Sequence, residues 1–248
     1  MNSKFIHLES NRATLNQNNC FDARFILNEP LKEIKRITLK SLEIPISFSN
    51  IRNMNNVLSF LFNGILNSIT IPERNYSTMN DIIDTLNSGL QPFNNTTLIF
   101  LINASNKVCI KITGNLPDSF SIVETNLSRF ILGFRIGLDI IDSSVVGTMS
   151  YIAINRYNLN CDNYLTILIS NINYVNGHTN NSTFRIPFNA QMNQVFYYNE
   201  MNNYIQFISG IDKFQVISFL DIRIIDRFGV QLKSTIDYSM TLLVESDG

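Results

Sequence analysis

The stretch Ile34-Lys35-Arg36-Ile37-Thr38-Leu39-Lys40-Ser41-Leu42-Glu43-Ile44-Pro45 decides the fold class. Side chains alternate between the two faces of a strand, so Ile37 and Leu39 set one apolar face. Leu42 and Ile44 fall one residue out of phase with them. A slip of one residue would turn an apolar face to water. The pattern therefore predicts a β-bulge near Lys40-Ser41 that restores the register. Pro45 lacks the N–H that a ladder needs and ends the strand. Lys32, Lys35, Arg36 and Lys40 are the densest basic cluster of the chain. Interleaved with Ile34, Ile37 and Leu39, they read as the polar face of a strand rather than a phosphate-binding strip.

The same period of two recurs along the chain. Val108, Ile110 and Ile112 alternate with Lys107, Cys109 and Lys111, and Leu165, Ile167 and Ile169 form one face of Tyr164–Ser170. Phe184, Ile186 and Phe188 alternate with Arg185 and Pro187, and Pro187 assigns that strand to a sheet edge or end. Leu220, Ile222 and Ile224 face away from Asp221 and Arg223. Asp226-Arg227-Phe228-Gly229 then makes a turn, with Val230 and Leu232 starting the return. After a bend near Ser234–Asp237, the residues Tyr238, Met240, Leu242 and Val244 predict a long last strand, too apolar to lie anywhere but inside a sheet. One segment has helical spacing instead: Met79, Ile82, Ile83, Leu86 and Leu90 predict a helix near residues 78–90. Ser77 or Thr78 caps it, Asp81 adds charge to its first turn, and Gly89 and Pro92 close it. A shorter helical turn is expected at Leu127–Gly133. About a dozen strands with frequent turn signals predict an all-β, antiparallel jelly-roll-type β-sandwich with one inserted helix. No repeat and no Gly/Ser/Pro linker appears, so the expectation is a single domain over residues 1–248 with loop excursions.

Composition narrows the function. Only 16% of the 248 residues are charged, the net charge is −1 and the pI is about 6.1, so no direct nucleic-acid binding is expected. Asn supplies about one residue in seven, well above ordinary usage. This reads first as the codon bias of an AT-rich genome and as cheap material for turns. No apolar run reaches the length of a membrane helix, so no transmembrane segment is expected, and Met1-Asn2-Ser3-Lys4 has no apolar signal core. Cys20, Cys109 and Cys161 are sparse and odd in number. They predict no disulfide framework, a reducing compartment during folding, and a buried thiol at Cys109.

The residues that carry chemistry elsewhere are scattered here. His7 alternates with Ile6 and Leu8 on the polar side of a first strand, and His178 sits in the Asn-rich loop Asn176–Thr179. They lack metal-ligand spacing and a nearby cysteine. Asp139, Asp142 and Asp162 lack the ligand spacing of a Ca²⁺ loop, and Asp221 and Asp226 are read as flanking a hairpin. No nucleophile elbow, phosphate loop or dinucleotide fingerprint occurs. Phe93, Phe100, Phe196, Tyr197 and Tyr198 read as core or interface rather than a nucleic-acid platform. The expectation is no catalytic residue, no metal site, no cofactor and no enzymatic activity.

A series of motifs, in order, covers most of the chain. Phe5-Ile6-His7-Leu8-Glu9-Ser10-Asn11-Arg12 resembles a "strand, Ser, x, Arg" opening. Phe21–Pro30 leads into Leu31. Ile37-x-Leu39-x-Ser41-x-Glu43-Ile44-Pro45 resembles "I-x-L-x-S-x-E-I-P", and Phe48–Ile51 and Asn55-Asn56-x-Leu58-x-Phe60 follow. Ile69-x-Ile71-Pro72-Glu73-Arg74-Asn75-Tyr76 resembles "I-x-I-P-x-G-N-Y", with Arg74 standing where the pattern has Gly. Ile131-Leu132-Gly133-Phe134 and the closing Asp226, Gly229, Asp237, Tyr238, Ser239, Met240 and Leu242 complete the series. Together these resemble the penton-type minor capsid proteins of virophages and nucleocytoplasmic large DNA viruses. The resemblance implies a jelly-roll structural protein of the virion, assembled in the host cytoplasm. It implies a homopentamer at the five-fold vertices in contact with the major capsid protein. The Asn-rich loops Asn53–Asn56 and Tyr174–Asn181 are the expected self-contacts. The alternative reading is a jelly-roll module that binds a carbohydrate or receptor.

Overall fold

The computed structural model describes residues 2–90, 95–159, 164–172, 182–187, 194–201 and 206–247. Cys161, Asp162, His178, Phe93, Pro92, Phe188 and the loop 174–181 lie outside them. The chain forms two compact units, Met1–Phe48 with Asp162–Gly248, and Ser49–Cys161. An insertion between two strands needs only two chain crossings, and neither requires a stretch of linker composition.

The first unit begins with β1 (Asn2–Glu9), β2 (Thr14–Asn16), β3 (Asn19–Leu31) and β4 (Ile34–Pro45). The inserted unit contains β5 (Val57–Phe62), β6 (Ile65–Thr70), α1 (Met79–Ser88), β7 (Thr96–Ile102), β8 (Val108–Gly114), β9 (Phe120–Val123), β10 (Ile140–Asp142) and β11 (Thr148–Ile152). The chain then completes the first unit with β12 (Tyr164–Ile169), β13 (Ser182–Pro187), β14 (Val195–Asn199), β15 (Gln206–Ser209), β16 (Ile217–Ile225) and β17 (Ser239–Ser246).

Every pairing is antiparallel. One sheet of the first unit runs β1-β17-β4-β14, and β15 pairs with the other half of β4, so β14 and β15 act as one interrupted strand. The second sheet runs β13-β12-β16-β3, with β2 at its edge. Counting β14/β15 as one and leaving out β2, the first sheet holds the first, eighth, third and sixth strands in chain order. The second holds the fifth, fourth, seventh and second. This is the strand order of a jelly roll. The inner faces of both sheets meet in one core that includes Ile37, Leu39, Leu42, Phe21, Ile167, Phe184, Ile222 and Leu242. Burying each such side chain contributes roughly 1.5–3 kcal/mol before conformational entropy is counted.

Local predictions can be checked strand by strand. Thr241 pairs with Ser41 and Leu242 with Leu39, so the bulge falls at Lys40 as the phase break required. β13 lies at a sheet edge, as Pro187 demanded, and β17 sits between β1 and β4. The return after Asp226–Gly229 is shorter than expected. It holds only an isolated bridge between Ile225 and Gln231, after which the chain crosses to the other sheet. Thr78 caps α1 by accepting from Asp81 N while Asp81 accepts from Thr78 N. Leu127–Leu132 forms a π-helical turn ended by Gly133 at φ 88°. A Cβ at Gly133 would stand 2.6 Å from the Asn155 carbonyl oxygen. Arg74, in place of the glycine of the motif, bridges to Ile51 and stacks over the Tyr76 ring at 4.5 Å.

The asparagines do more than fill turns. At five positions or more among the described residues, one side-chain amide clamps a backbone N–H and a backbone C=O together. Asn19 donates to Leu232 O and accepts from Ser234 N, both at 2.9 Å. Asn50 holds both backbone groups of Tyr76, and Asn87 both of Phe100. Asn55 joins Asn50 O to Arg52 N, and Asn171 joins Phe219 O to Asp221 N. A primary amide carries a donor and an acceptor side by side, so it stands in for a missing peptide group in a ladder. Replacing Asn19 by Ala strands a buried carbonyl and a buried N–H, and is expected to lower stability by about 1–3 kcal/mol in chemical denaturation. The Tyr238 hydroxyl gives the opposite case. Its ring lies edge-on to Phe21 and Phe25 in the jelly-roll core, and the hydroxyl finds no hydrogen-bond partner among the described residues. Tyr238→Phe is expected to gain about 1 kcal/mol. A clear loss in the same experiment would show that the hydroxyl is bonded after all.

Candidate assembly surfaces

Among the described residues the predicted chemical residues stay apart. His7 is exposed on β1, with Nδ1 3.1 Å from Thr241 Oγ1 and Nε2 3.4 Å from a Glu9 carboxylate oxygen. Asp139 accepts from the N–H groups of Arg135 and Ile154, which ties the loop after Gly133 to the strand end after β11. Burial pushes its carboxyl above the ordinary range. Asp142 accepts from Ser144 N. Asp221 forms a bidentate ion pair with Arg24, at 2.7 and 2.9 Å, rather than serving a turn. Cys20 and Cys109 are buried, and burial raises both thiols, which keeps them protonated and unreactive at neutral pH. Among the described residues no group of three His, Cys, Asp or Glu side chains is placed to hold a metal ion. Among the described residues no helix is long and apolar enough to cross a membrane.

The outer faces of the jelly roll differ in chemistry. On the sheet of β3, β16, β12 and β13, Arg24 pairs with Asp221, and Arg223 lies 3.5 Å from Asp22. Arg24 also covers the Phe219 ring at 4.3 Å, and Arg185 covers Tyr164 at 3.6 Å. This face is laced with charge and well solvated.

The opposite face carries a row of two phenylalanines, a half-buried leucine and a buried threonine. Register places Phe5 opposite Leu243, Leu243 opposite Thr38, and Thr38 opposite Phe207, so the row crosses the whole sheet. Phe5 is 67% exposed and Phe207 is 52% exposed. Beside the row, Arg36 forms a bidentate pair with Glu245, Lys35 pairs with Asp247, and Lys40 with Glu200. The basic cluster of β4 is thus largely neutralised by its neighbours. A face with exposed aromatics and internally paired charges loses little on desolvation, as the core of a protein interface requires.

The inserted unit exposes apolar side chains too. Ile140 and Ile141 of β10 and Ile65 and Leu66 of β6 lie on edge strands and point to solvent. Its core is a chain of rings, Phe60–Phe120–Tyr151–Phe134, with centroids 5.8, 5.4 and 6.0 Å apart.

Of the loops expected to make self-contacts, Asn53–Asn56 holds a buried Asn55, whose amide, with that of Asn50, knits the loop to itself and to Tyr76, while Met54 is exposed. Tyr174–Asn181 lies outside the described residues. The exposed row on the jelly roll was the missed feature, and its signal was present: Phe5 occupies the outward phase set by Ile6 and Leu8.

An eight-stranded jelly roll with a β-rich insertion between its third and fourth strands defines the class of molecule. Over 100% of both chains the structure is similar to the crystal structure of the selenomethionine-labelled mavirus penton protein, with a TM-score of 0.51 and 12% sequence identity. No protein-family model matches the chain, and no curated protein does. The likeness is one of fold.

The Arg36–Glu245 pair makes the apolar face sensitive to acid. The guanidinium holds the Glu245 carboxyl below its ordinary value of 4.5. A carboxyl depressed by folding adds stability above its unfolded pKa and loses it as pH falls through the folded one. Wild-type protein is therefore expected to exceed Glu245→Gln in stability near neutrality, with the difference vanishing on acidification below about pH 4. Thermal melts of the two proteins across pH 3–7 check this.

Proposed function

We propose that this chain is a penton-type minor capsid protein: a structural, non-enzymatic component of a virion that closes the five-fold vertices as a homopentamer and contacts the major capsid protein. The observation that carries the reading is the end-to-end similarity to a virophage penton protein, jelly roll and insertion together. Two features of the chain support it. The residues of ordinary catalytic chemistry are dispersed, and the outward side of one sheet presents apolar side chains whose neighbouring charges are already paired. Five-fold closure joins two different patches on each subunit, so more than one such surface is required of the monomer. The jelly-roll row and the apolar edges of the insertion meet that requirement in number.

Its place in the particle is the test. A reconstruction of purified virions is expected to show density for this chain at the five-fold vertices, flanked by the major capsid protein. Density confined to other positions overturns the penton assignment. Particles that lack the chain overturn the capsid reading as a whole.

A further inference from the structure

The apolar surface of the inserted unit is concentrated on two strand edges. β10 pairs with β11 on one side only, and around it Ile136, Leu138, Ile140, Ile141, Val145 and Val146 are between 46% and 101% exposed. Six aliphatic side chains exposed to this degree present on the order of 500 Å² of apolar surface. Ile140 and Ile141 point to opposite faces of the strand, so this surface wraps the sheet margin; it is more than half of the roughly 800 Å² each partner gives to a standard interface. The second edge is β6, which pairs with β5 alone. It follows the turn at Asn63-Gly64, where both residues have positive φ, and exposes Ile65 at 68% and Leu66 at 60%.

A third edge shows what closure looks like in this fold. β7 is the other margin of the β10 sheet, and there Asn87 of α1 takes both backbone groups of Phe100. Among the described residues no side chain does this for β10. A sheet margin left open and lined with aliphatic residues is a template for another strand.

We infer that β10 of one copy of this chain adds to the β6 edge of a second copy, so that the two apolar margins cover each other. Three observations select a second copy as the occupant. The two edges are different, as head-to-tail closure of a ring demands. The β6 edge and its turn, residues 63–70, contain no charged side chain. The two carboxylates at β10 already accept backbone N–H groups of their own unit, Asp139 from Arg135 and Ile154 and Asp142 from Ser144. Burial of one edge against the other therefore leaves no ion without a partner. The identity of the occupant rests on the self-assembly reading above.

Cysteine cross-linking of the full chain tests the pairing. Asp142→Cys and Ser68→Cys are introduced singly and together, and each protein is oxidised at its highest soluble concentration. The double variant is expected to give a ladder of linked chains ending in a closed ring, and the single variants to match wild type. No product beyond wild type in the double variant, with its far-UV spectrum unchanged, overturns the inference. So does an efficient dimer from Asp142→Cys alone, which would mean that β10 pairs with itself. In parallel, Ile141→Lys and Leu66→Lys are each expected to weaken self-association about tenfold in sedimentation without unfolding the chain. Unchanged association in both overturns the pairing as well. A chain found at the vertices of particles but failing these tests keeps the penton reading and loses this interface. A chain that cross-links yet lies elsewhere in the particle does the reverse.

Discussion

β17 lies between β1 and β4, in register with both over most of its length. Its inner residues Met240, Leu242 and Val244 supply the middle of the jelly-roll core. Its outer residues carry the chemistry of the exposed face: Leu243 stands in the apolar row, and Glu245 holds Arg36. The bulge at Lys40 is the local adjustment that lets β4 follow this strand on both sides of the irregularity. Without the extra residue, either the half of β4 around Ile37 and Leu39 or the half around Leu42 and Ile44 would face water. The core and the outer row thus rest on one strand being held between two others.

The parts of the fold written into short stretches could be read directly. The phase break at Lys40, the edge position forced by Pro187, the cap of α1 at Ser77 or Thr78 and the outward placement of His7 each depend on residues a few positions apart. The division into two units was not legible. It depends on which strands pair across the insertion, and strand periodicity says nothing about partners distant in the chain. The role of asparagine was hidden for a different reason. Composition reports that an amide is present but not which backbone groups lack a partner, and Asn19 meets Leu232 and Ser234 only after the chain has folded.

The assembly surfaces fall between these cases. Phe5 can be recognised as outward-facing from Ile6 and Leu8, but its continuation through Leu243, Thr38 and Phe207 crosses three further strands and exists only in the folded sheet. The loop Asn53–Asn56 has the composition of a contact loop, yet the amide of Asn55 is spent on backbone groups of its own neighbourhood while Met54 stays exposed. Polarity identifies residues able to form hydrogen bonds without saying whether they are spent inside the molecule. The two outer faces make the same point. Both contain arginine and acidic residues, and only cross-strand register separates a solvated ion lattice from an apolar band bordered by closed pairs.

The central position of β17 sets an order of events during synthesis. A ribosome releases the chain from its N-terminus, and domains tend to fold as they emerge. Residues 49–161 contain every strand partner of the inserted unit, so its sheets can close while translation continues. The jelly roll cannot. β1 and β4 emerge early, yet the strand that belongs between them follows the whole insertion and every other strand of the jelly roll. Until β17 is made, their facing margins stay open. An identical β17 from a neighbour would fit that gap as well as the chain's own, so exchange of the last strand between nascent copies is the misassembly this topology invites.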